Sequence, residues 1–323
     1  MLSRRAFLRR LPGSRRPQPP ASDGITFDSP VITPIGRFYR QSVTGRLPVI
    51  DRRAWALVFD GLVRRPLKLG YEALRRQPAA GDVFTLVSAM NPPGGGLIGN
   101  AAWRGCRLAD LLLQADLLPE ATHLRFEAAD GYSATVALDE PGLPQALLAY
   151  DMNGALLPPE HGGPLRALVP DLYGGASVKW LTRITAIEAR QASGAGIPPV
   201  RTGAQIMTPR PYTVLQVGQP VAVQGVAFAG LRGIAAVGLS VDGGDWMPVT
   251  LRPPESPLAW TQWYTLWTPE VPGEYRLVVR ATDRTGRTQD RLAGLGLNDS
   301  VEHNAGGSRD VDPMHWIVVR VIG

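Results

Sequence analysis

An α+β domain of mixed sheet followed by an all-β sandwich is the fold class this sequence predicts. Three observations predict it. From residue 25 to residue 190, short β-branched and aromatic runs alternate with segments of helical spacing. Residues 191–208 begin Gln191-Ala-Ser-Gly-Ala-Gly-Ile-Pro-Pro199, a linker by composition. Residues 209–323 then repeat short alternating segments punctuated by turns. With 323 residues, 44% apolar and 19% charged, the chain can bury two cores and reads as globular.

Residues 1–24 are rich in Arg, Pro and Ser and read as a basic disordered tail. Their start, Ser3-Arg4-Arg5-Ala6-Phe7-Leu8, is similar to a twin-arginine export motif. Where about 7 to 15 apolar residues should follow, the chain reads Leu11-Pro-Gly-Ser-Arg15-Arg16-Pro17. A periplasmic or membrane-peripheral location is expected if this degenerate signal is used, and a cytoplasmic one otherwise. No run approaches the roughly 18 apolar residues of a transmembrane helix.

Trp55–Val63 reads as a strand ended by Arg64-Arg65-Pro66, with a short helix over Tyr71–Arg76 behind it. Val83–Val87 is a second strand, and Asn91-Pro-Pro-Gly-Gly-Gly96 can only be a loop. Trp103-Arg-Gly105 leads into Leu108, Leu111, Leu112 and Leu117, the apolar stripe of an amphipathic helix. Strands follow at Leu124–Phe126, Ala134–Leu138, Leu165–Val169 and Ile184–Glu188. Val178-Lys179-Trp180 is expected to be strand-like. Past the linker, Val221–Val226, Val237–Val241, Trp246–Val249 and Tyr275–Arg280 alternate, with turns at Asp242-Gly-Gly244 and Asp283–Gly286. That rhythm predicts an antiparallel sandwich of immunoglobulin type, with Trp260, Trp263 and Trp267 in its core or at a subunit contact.

The net charge of +6 and pI near 9.8 come from arginines scattered through the chain, not from one stripe, which argues against nucleic acid as a partner. One cysteine, Cys106, allows no internal disulfide and no zinc site of its own. His123, His303 and His315 are too dispersed for a metal set, and no Ser/His/Asp spacing suggests a hydrolase.

His161-Gly-Gly-Pro-Leu-Arg166 and Ser177-Val-Lys179-Trp180 carry the clearest chemistry. Only Lys68 and Lys179 are lysines. An imidazole, a guanidinium and an ammonium on Gly/Pro-punctuated backbone suit a multiply charged phosphate, because glycines admit close approach and the arginine fork grips two oxygens.

With these blocks stand Phe38-Tyr39-Arg40, Asp60-Gly-Leu-Val63, Gly94-Gly95 to Asn100, Trp103-Arg-Gly105, Leu148-Ala-Tyr150, Met152-Asn-Gly154, Val241-Asp-Gly-Gly244 and Ala281-Thr-Asp283. In order and spacing the chain resembles the molybdopterin-dependent oxidoreductases of the sulfite oxidase fold, with their C-terminal immunoglobulin-like dimerisation domain. The resemblance implies a mixed-sheet sulfite oxidase-type molybdopterin-binding domain over residues 25–190. It also implies a molybdopterin cofactor held by Asn91, Asp130, Tyr132, His161, Arg166, Ser177 and Lys179, and catalytic roles for Arg40 and for the position of Ser88. Asn91 and Asn100 equally suit turn caps, Asp130-Gly-Tyr132 a strand turn, and Arg40 a structural ion pair.

The family's metal-binding loop reads Thr-Leu-x-Cys-x-x-Asn, whereas this chain has Thr85-Leu-Val-Ser88-Ala-Met-Asn91. Ser88 replaces the thiolate ligand with a harder, far less acidic hydroxyl. Arg190–Thr202 also lacks the family's aromatic segment, and the export signal is shortened. Two readings follow. In one, the chain is a molybdopterin oxidoreductase transferring oxygen atoms in two-electron steps to or from a small oxyanion or sulfur compound, served by an external electron carrier. In the other it is a catalytically inactive relative, a pseudoenzyme without bound molybdenum, acting as a structural or binding subunit. Either could form a homodimer or larger complex through the sandwich.

Overall fold

Which face of each strand is apolar decides where the sheets pack. A computed structural model of the chain describes residues 31–192, 196–289, 291–292 and 313–323. The twin-arginine-like start and His303 lie outside the described residues. The fold is sheet-rich with few helices. Among the described residues there are two α-helices, Tyr71–Arg75 and Leu108–Ala115, and four sheets, and no helix is long and apolar enough to cross a membrane.

The first sheet runs Leu67–Gly70, Ala56–Gly61, Leu181–Ile187, His123–Ala128, Ser133–Ala137. Ala56–Gly61 and Leu181–Ile187 are parallel, with Phe59 opposite Ile184, and the remaining pairings are antiparallel. A parallel pair cannot be closed by a tight hairpin, and the chain between the two strands supplies the helices and a second sheet. Leu108, Leu111, Leu112 and Ala115 put one helical face into the core. The helix stops at Asp116, which turns left-handed.

The second sheet runs Ala79–Val87, Ile98–Arg107, Leu147–Met152, Ala155–Leu156, and Arg166–Leu168 also pairs with Leu147–Met152. Leu147–Met152 is buried along its whole length because its alternate side chains serve two cores. Leu148 and Tyr150 pack with Leu57, Phe59 and Leu111, while Leu147 and Ala149 pack with Phe38, Phe84 and Trp103.

The other two sheets enclose one core. One runs Gly203–Thr208, Val221–Phe228, Thr261–Trp267, Thr250–Arg252. The other runs Val214–Gln216, Pro313–Ile322, Gly273–Asp283, Ile234–Val241, Met247–Pro248, with Arg291–Leu292 beside Pro313–Ile322. Val223, Trp263, Leu239, Leu277 and Ile317 meet between them. A further cluster of Val87, Ile98, Val200, Val226 and Trp260 joins these sheets to the second one. Main-chain bonds reinforce it: Thr85 N donates to Leu258 O (3.0 Å), and Trp260 N to Thr85 Oγ1 (2.7 Å).

Two expectations need correction. The strand Gly203–Thr208 starts inside the expected linker 191–208, because Ala204 and Ile206 belong to the core of the paired sheets. Val178-Lys179-Trp180 is not a strand: Trp180 adopts φ 52° and the segment bends before Leu181–Ile187 begins.

Candidate functional site

One backbone turn collects the cations. Pro159–His161 forms a single 3-10 turn closed by Gly162 at φ 110°, where a Cβ would lie 2.9 Å from Lys179 Cβ and Cγ. Glycine is needed there for conformation and for space. Arg166 donates from Nη1 to His161 O (3.2 Å) and from Nε to Ser177 O (3.2 Å). Lys179 Nζ stands 3.4 Å from Glu160 O and 4.2 Å from the Trp180 ring centroid, and Trp180 Nε1 donates to Pro159 O (2.6 Å). The bend at Trp180, not a strand, is what returns Lys179 to this turn.

Arg166 is 6% exposed, and among the described residues no carboxylate forms an ion pair with Arg166 or Lys179. Burial lowers the Arg166 guanidinium to about 10, and the nearby Tyr39 only partly offsets it. Burial, then Arg166, lowers the Lys179 ammonium to about 8, against a smaller upward pull from Asp130. Buried charge of one sign without a partner is costly, and an anion bound beside these two cations would offset that cost.

The other expected residues sit around it. His161 is buried, with Nε2 against Ile35 O (3.1 Å) and its ring edge-on to Phe38. Burial holds this imidazole below its usual range. Its carbonyl serves Arg166, while its ring packs against the segment Ile35–Phe38. Ser177 Oγ accepts Val169 N (3.2 Å), so this serine fixes the frame of Arg166 through both its hydroxyl and its carbonyl. Asp130 and Tyr132 form the turn between two strands and also tie distant segments: Thr44 Oγ1 donates to Asp130 Oδ2 (2.6 Å), and Tyr132 Oη to Gly175 O (3.0 Å).

Ser88 follows Val87 into a closed loop. Ser88 N donates to Leu97 O (2.9 Å), Leu97 N to Asn91 Oδ1 (2.7 Å), and Met90 N to Ser88 Oγ (3.1 Å). Ser88 is buried, and the Asn91 side chain braces its loop. Arg40 is exposed on the rim, 3.7 Å from Glu160. Cys106 is no substitute for Ser88. It pairs with Ala79 at the far end of the strand whose Ile98 pairs with Val87, about 27 Å away at 3.4 Å per residue. Burial raises its thiol to about 12.

Tyr39 was not singled out from the sequence. A Cβ on Gly174 would meet Tyr39 Oη at 2.7 Å and Val87 O at 3.4 Å, which puts the phenol beside the residue preceding Ser88. Burial raises its pKa, against the pull of Arg166, so the phenol keeps its proton. Gly174-Gly175 beside the Ser177 block was the available signal.

Residues 44–194 match the oxidoreductase molybdopterin binding domain. The chain is 34% identical to a sulfite oxidase of Arabidopsis thaliana over 55% of this chain and 52% of that protein. It is 28% identical to a sulfite oxidase of Gallus gallus over 75% of this chain and 65% of that one. Residues 44–194 are thus similar to the molybdopterin binding domain of sulfite-oxidase-type oxidoreductases. A nitrate reductase [NAD(P)H] of Hordeum vulgare is 28% identical over 80% of this chain, which covers 37% of that protein. The chain thus spans about half, or less, of the length of these plant relatives. Among solved structures, the sulfane dehydrogenase SoxCD from Paracoccus pantotrophus shares the fold, with a TM-score of 0.73 and 23% identity over 94% of this chain and 90% of that one.

A molybdopterin binding domain implies a molybdopterin, and the cation turn fits its anionic arm: among the described residues the buried Arg166 and the half-buried Lys179 have no ion-pair partner, and the buried Trp103 Nε1, on the ring that Arg166 covers at 5.6 Å, has no hydrogen-bond partner. Among the same residues no group of three or more His, Cys, Asp or Glu could hold a metal alone.

Proposed function

We propose that the chain is a molybdopterin oxidoreductase of sulfite oxidase type in which Ser88 takes the position of the thiolate ligand. The observation that carries this reading is a pair of cations at the turn Pro159–Gly162, the buried Arg166 and the half-buried Lys179, with no ion-pair partner among the described residues. When bound, a molybdenum pterin supplies a two-electron centre for oxygen-atom transfer.

The chain's own residues would bind and orient that group. Arg166 and Lys179 hold its phosphate by charge-assisted hydrogen bonds. Ser177 and the His161 carbonyl keep the guanidinium in place. Asn91 fixes the loop that presents Ser88, whose Oγ accepts the Met90 amide while its own proton remains available to donate. The Tyr39 phenol stays protonated beside Arg166 and can donate to an oxyanion. Arg40, on the rim, attracts an anionic substrate such as sulfite or another small sulfur oxyanion. Electrons leave to an external carrier. The later sheets, of immunoglobulin-like type and following a molybdopterin-binding domain of residues 25–190, serve as the dimerisation unit.

Metal content tests the reading. Full-length protein made in a host that produces the cofactor should carry about one molybdenum per chain by mass spectrometry, and Arg166→Met should lose most of it. Ser88→Cys should raise retention and oxidation of sulfite. Protein purified without molybdenum, and unchanged by Ser88→Cys, would instead favour the inactive structural subunit.

A further inference from the structure

The loop that carries Ser88 is held from outside by a residue 227 positions further along the chain, His315. His315 lies on Pro313–Ile322, in a sheet of the other pair. Its Nδ1 accepts Ile206 N (2.9 Å) at the register shift between Ile206 and Thr208. That bond fixes the ring and places the imidazole proton on Nε2. The Nε2 edge then rests on Gly94, where a Cβ would come within 2.0 Å of Nε2 and 2.2 Å of Cδ2. The contact is steric. Gly94 itself is left-handed, φ 73°, at the outer bend of the loop that Ser88 N, Asn91 Oδ1 and Leu97 close from inside.

We propose that His315 is a positioning residue for the Ser88–Leu97 loop: the imidazole wedge against Gly94 sets how Ser88 is presented, so the paired sheets control the geometry of a site in the other half. Two observations point the same way. Thr85, three residues before Ser88, is bonded to Leu258 and Trp260 in the connection that leads into the strand Thr261–Trp267, so strand and loop are both braced by the later half of the chain. Burial also lowers the His315 imidazole to about 4, which keeps it neutral and able to accept the Ile206 amide at ordinary pH.

The wedge acts on the loop whether or not a metal is present, so its test uses metal-free protein and is independent of the function proposed above. In the full chain carrying Ser88→Cys, the thiol at position 88 is the reporter, since Cys106 is buried and resists ionisation. Adding His315→Ala should speed alkylation of that thiol about tenfold and lower hydrogen-exchange protection of the Ser88 and Leu97 amides, with Leu147–Met152 unchanged. His315→Asn, which retains an acceptor for Ile206 N but lacks the ring edge, should release the loop to the same degree. It decides the matter if His315→Ala does not fold. Alkylation within twofold of the parent in His315→Asn, or protection lost equally in Leu147–Met152, would overturn the proposal.

Discussion

Two buried charge clusters in this molecule are built on opposite plans. Asp283 is fully buried and receives Thr202 Oγ1 (2.7 Å), Arg232 Nε (2.9 Å), Thr285 N (2.9 Å) and Oγ1 (2.6 Å), and Arg287 N (3.1 Å). Arg232 also donates to Val200 O (2.6 Å), so cation and anion are both satisfied. Among the described residues Arg166 and Lys179, by contrast, hydrogen-bond only to carbonyl oxygens and lie over aromatic rings. A charge cluster that serves the fold closes on itself, because an uncompensated buried ion costs several kcal/mol. One left open within the same chain marks where something from outside completes it.

The largest effect should come from the closed cluster. Asp283→Ala leaves Arg232 only the longer pair with Asp171 (3.9 Å) and the Val200 carbonyl, removes the acceptor of the Thr202, Thr285 and Arg287 donors, and should cost about 3 kcal/mol in urea unfolding. Burial alone would raise this carboxyl, but the bonds from Thr285, Thr202 and Arg232 hold it well below the usual range. A depressed carboxylate stabilises above its unfolded pKa near 3.9 and loses that contribution as pH falls further, so wild-type stability should drop below about pH 4 and the variant should lack that component.

The open cluster should respond in binding instead. Lowering Arg166 from 12.5 to about 10 corresponds to roughly 3 kcal/mol of strain on its charge. Arg166→Met relieves that strain but leaves two carbonyls unbonded at about 1 to 3 kcal/mol each. Metal-free stability should therefore change little, while affinity for inorganic phosphate falls at least about tenfold by calorimetry. A loss of stability matching Asp283→Ala would erase the distinction between the clusters.

Lys179 sharpens it through pH. With the ammonium lowered from 10.5 to about 8, the unfolded chain binds more protons between those values. Metal-free stability should rise across that window, phosphate affinity should fall as pH passes about 8, and Lys179→Met should remove both inflections. The smallest effect belongs to Arg40, whose pair with Glu160 is long and exposed. Arg40→Gln should shift unfolding by less than about 0.5 kcal/mol.

Much of the fold was legible wherever local pattern and burial agree. Leu108, Leu111 and Leu112 read as a helix because their spacing is the helix's own, and Val221–Val226 reads as a strand by alternation, within the observed Val221–Phe228. The strand Ile98–Arg107 is not legible in the sequence, because Gly99, Asn100 and Gly105 disguise it. Glycine is tolerated there for close packing: a Cβ at Gly105 would strike Leu148 O, and one at Gly99 would strike Phe38. In the site, His161, Arg166 and Lys179 could be picked out by residue type and punctuation, since glycines next to cations are a local signal. Asp283 and His315 could not, because their roles come from partners far along the chain. The strand expected around Lys179 is absent: the bend at Trp180, invisible in an apolar run, is what turns this residue toward Pro159–Gly162.

Pro313–Ile322 lies between Val214–Gln216 and Gly273–Asp283, in the interior of its sheet, and it carries the ring that presses on Gly94. During translation at about 5 to 20 residues per second, Ser88 would leave the ribosome roughly ten to fifty seconds before its distant support exists. Any maturation step that requires a finished pocket must therefore wait for nearly all of the chain described here to be made, which makes the order of synthesis itself a safeguard against loading an immature protein.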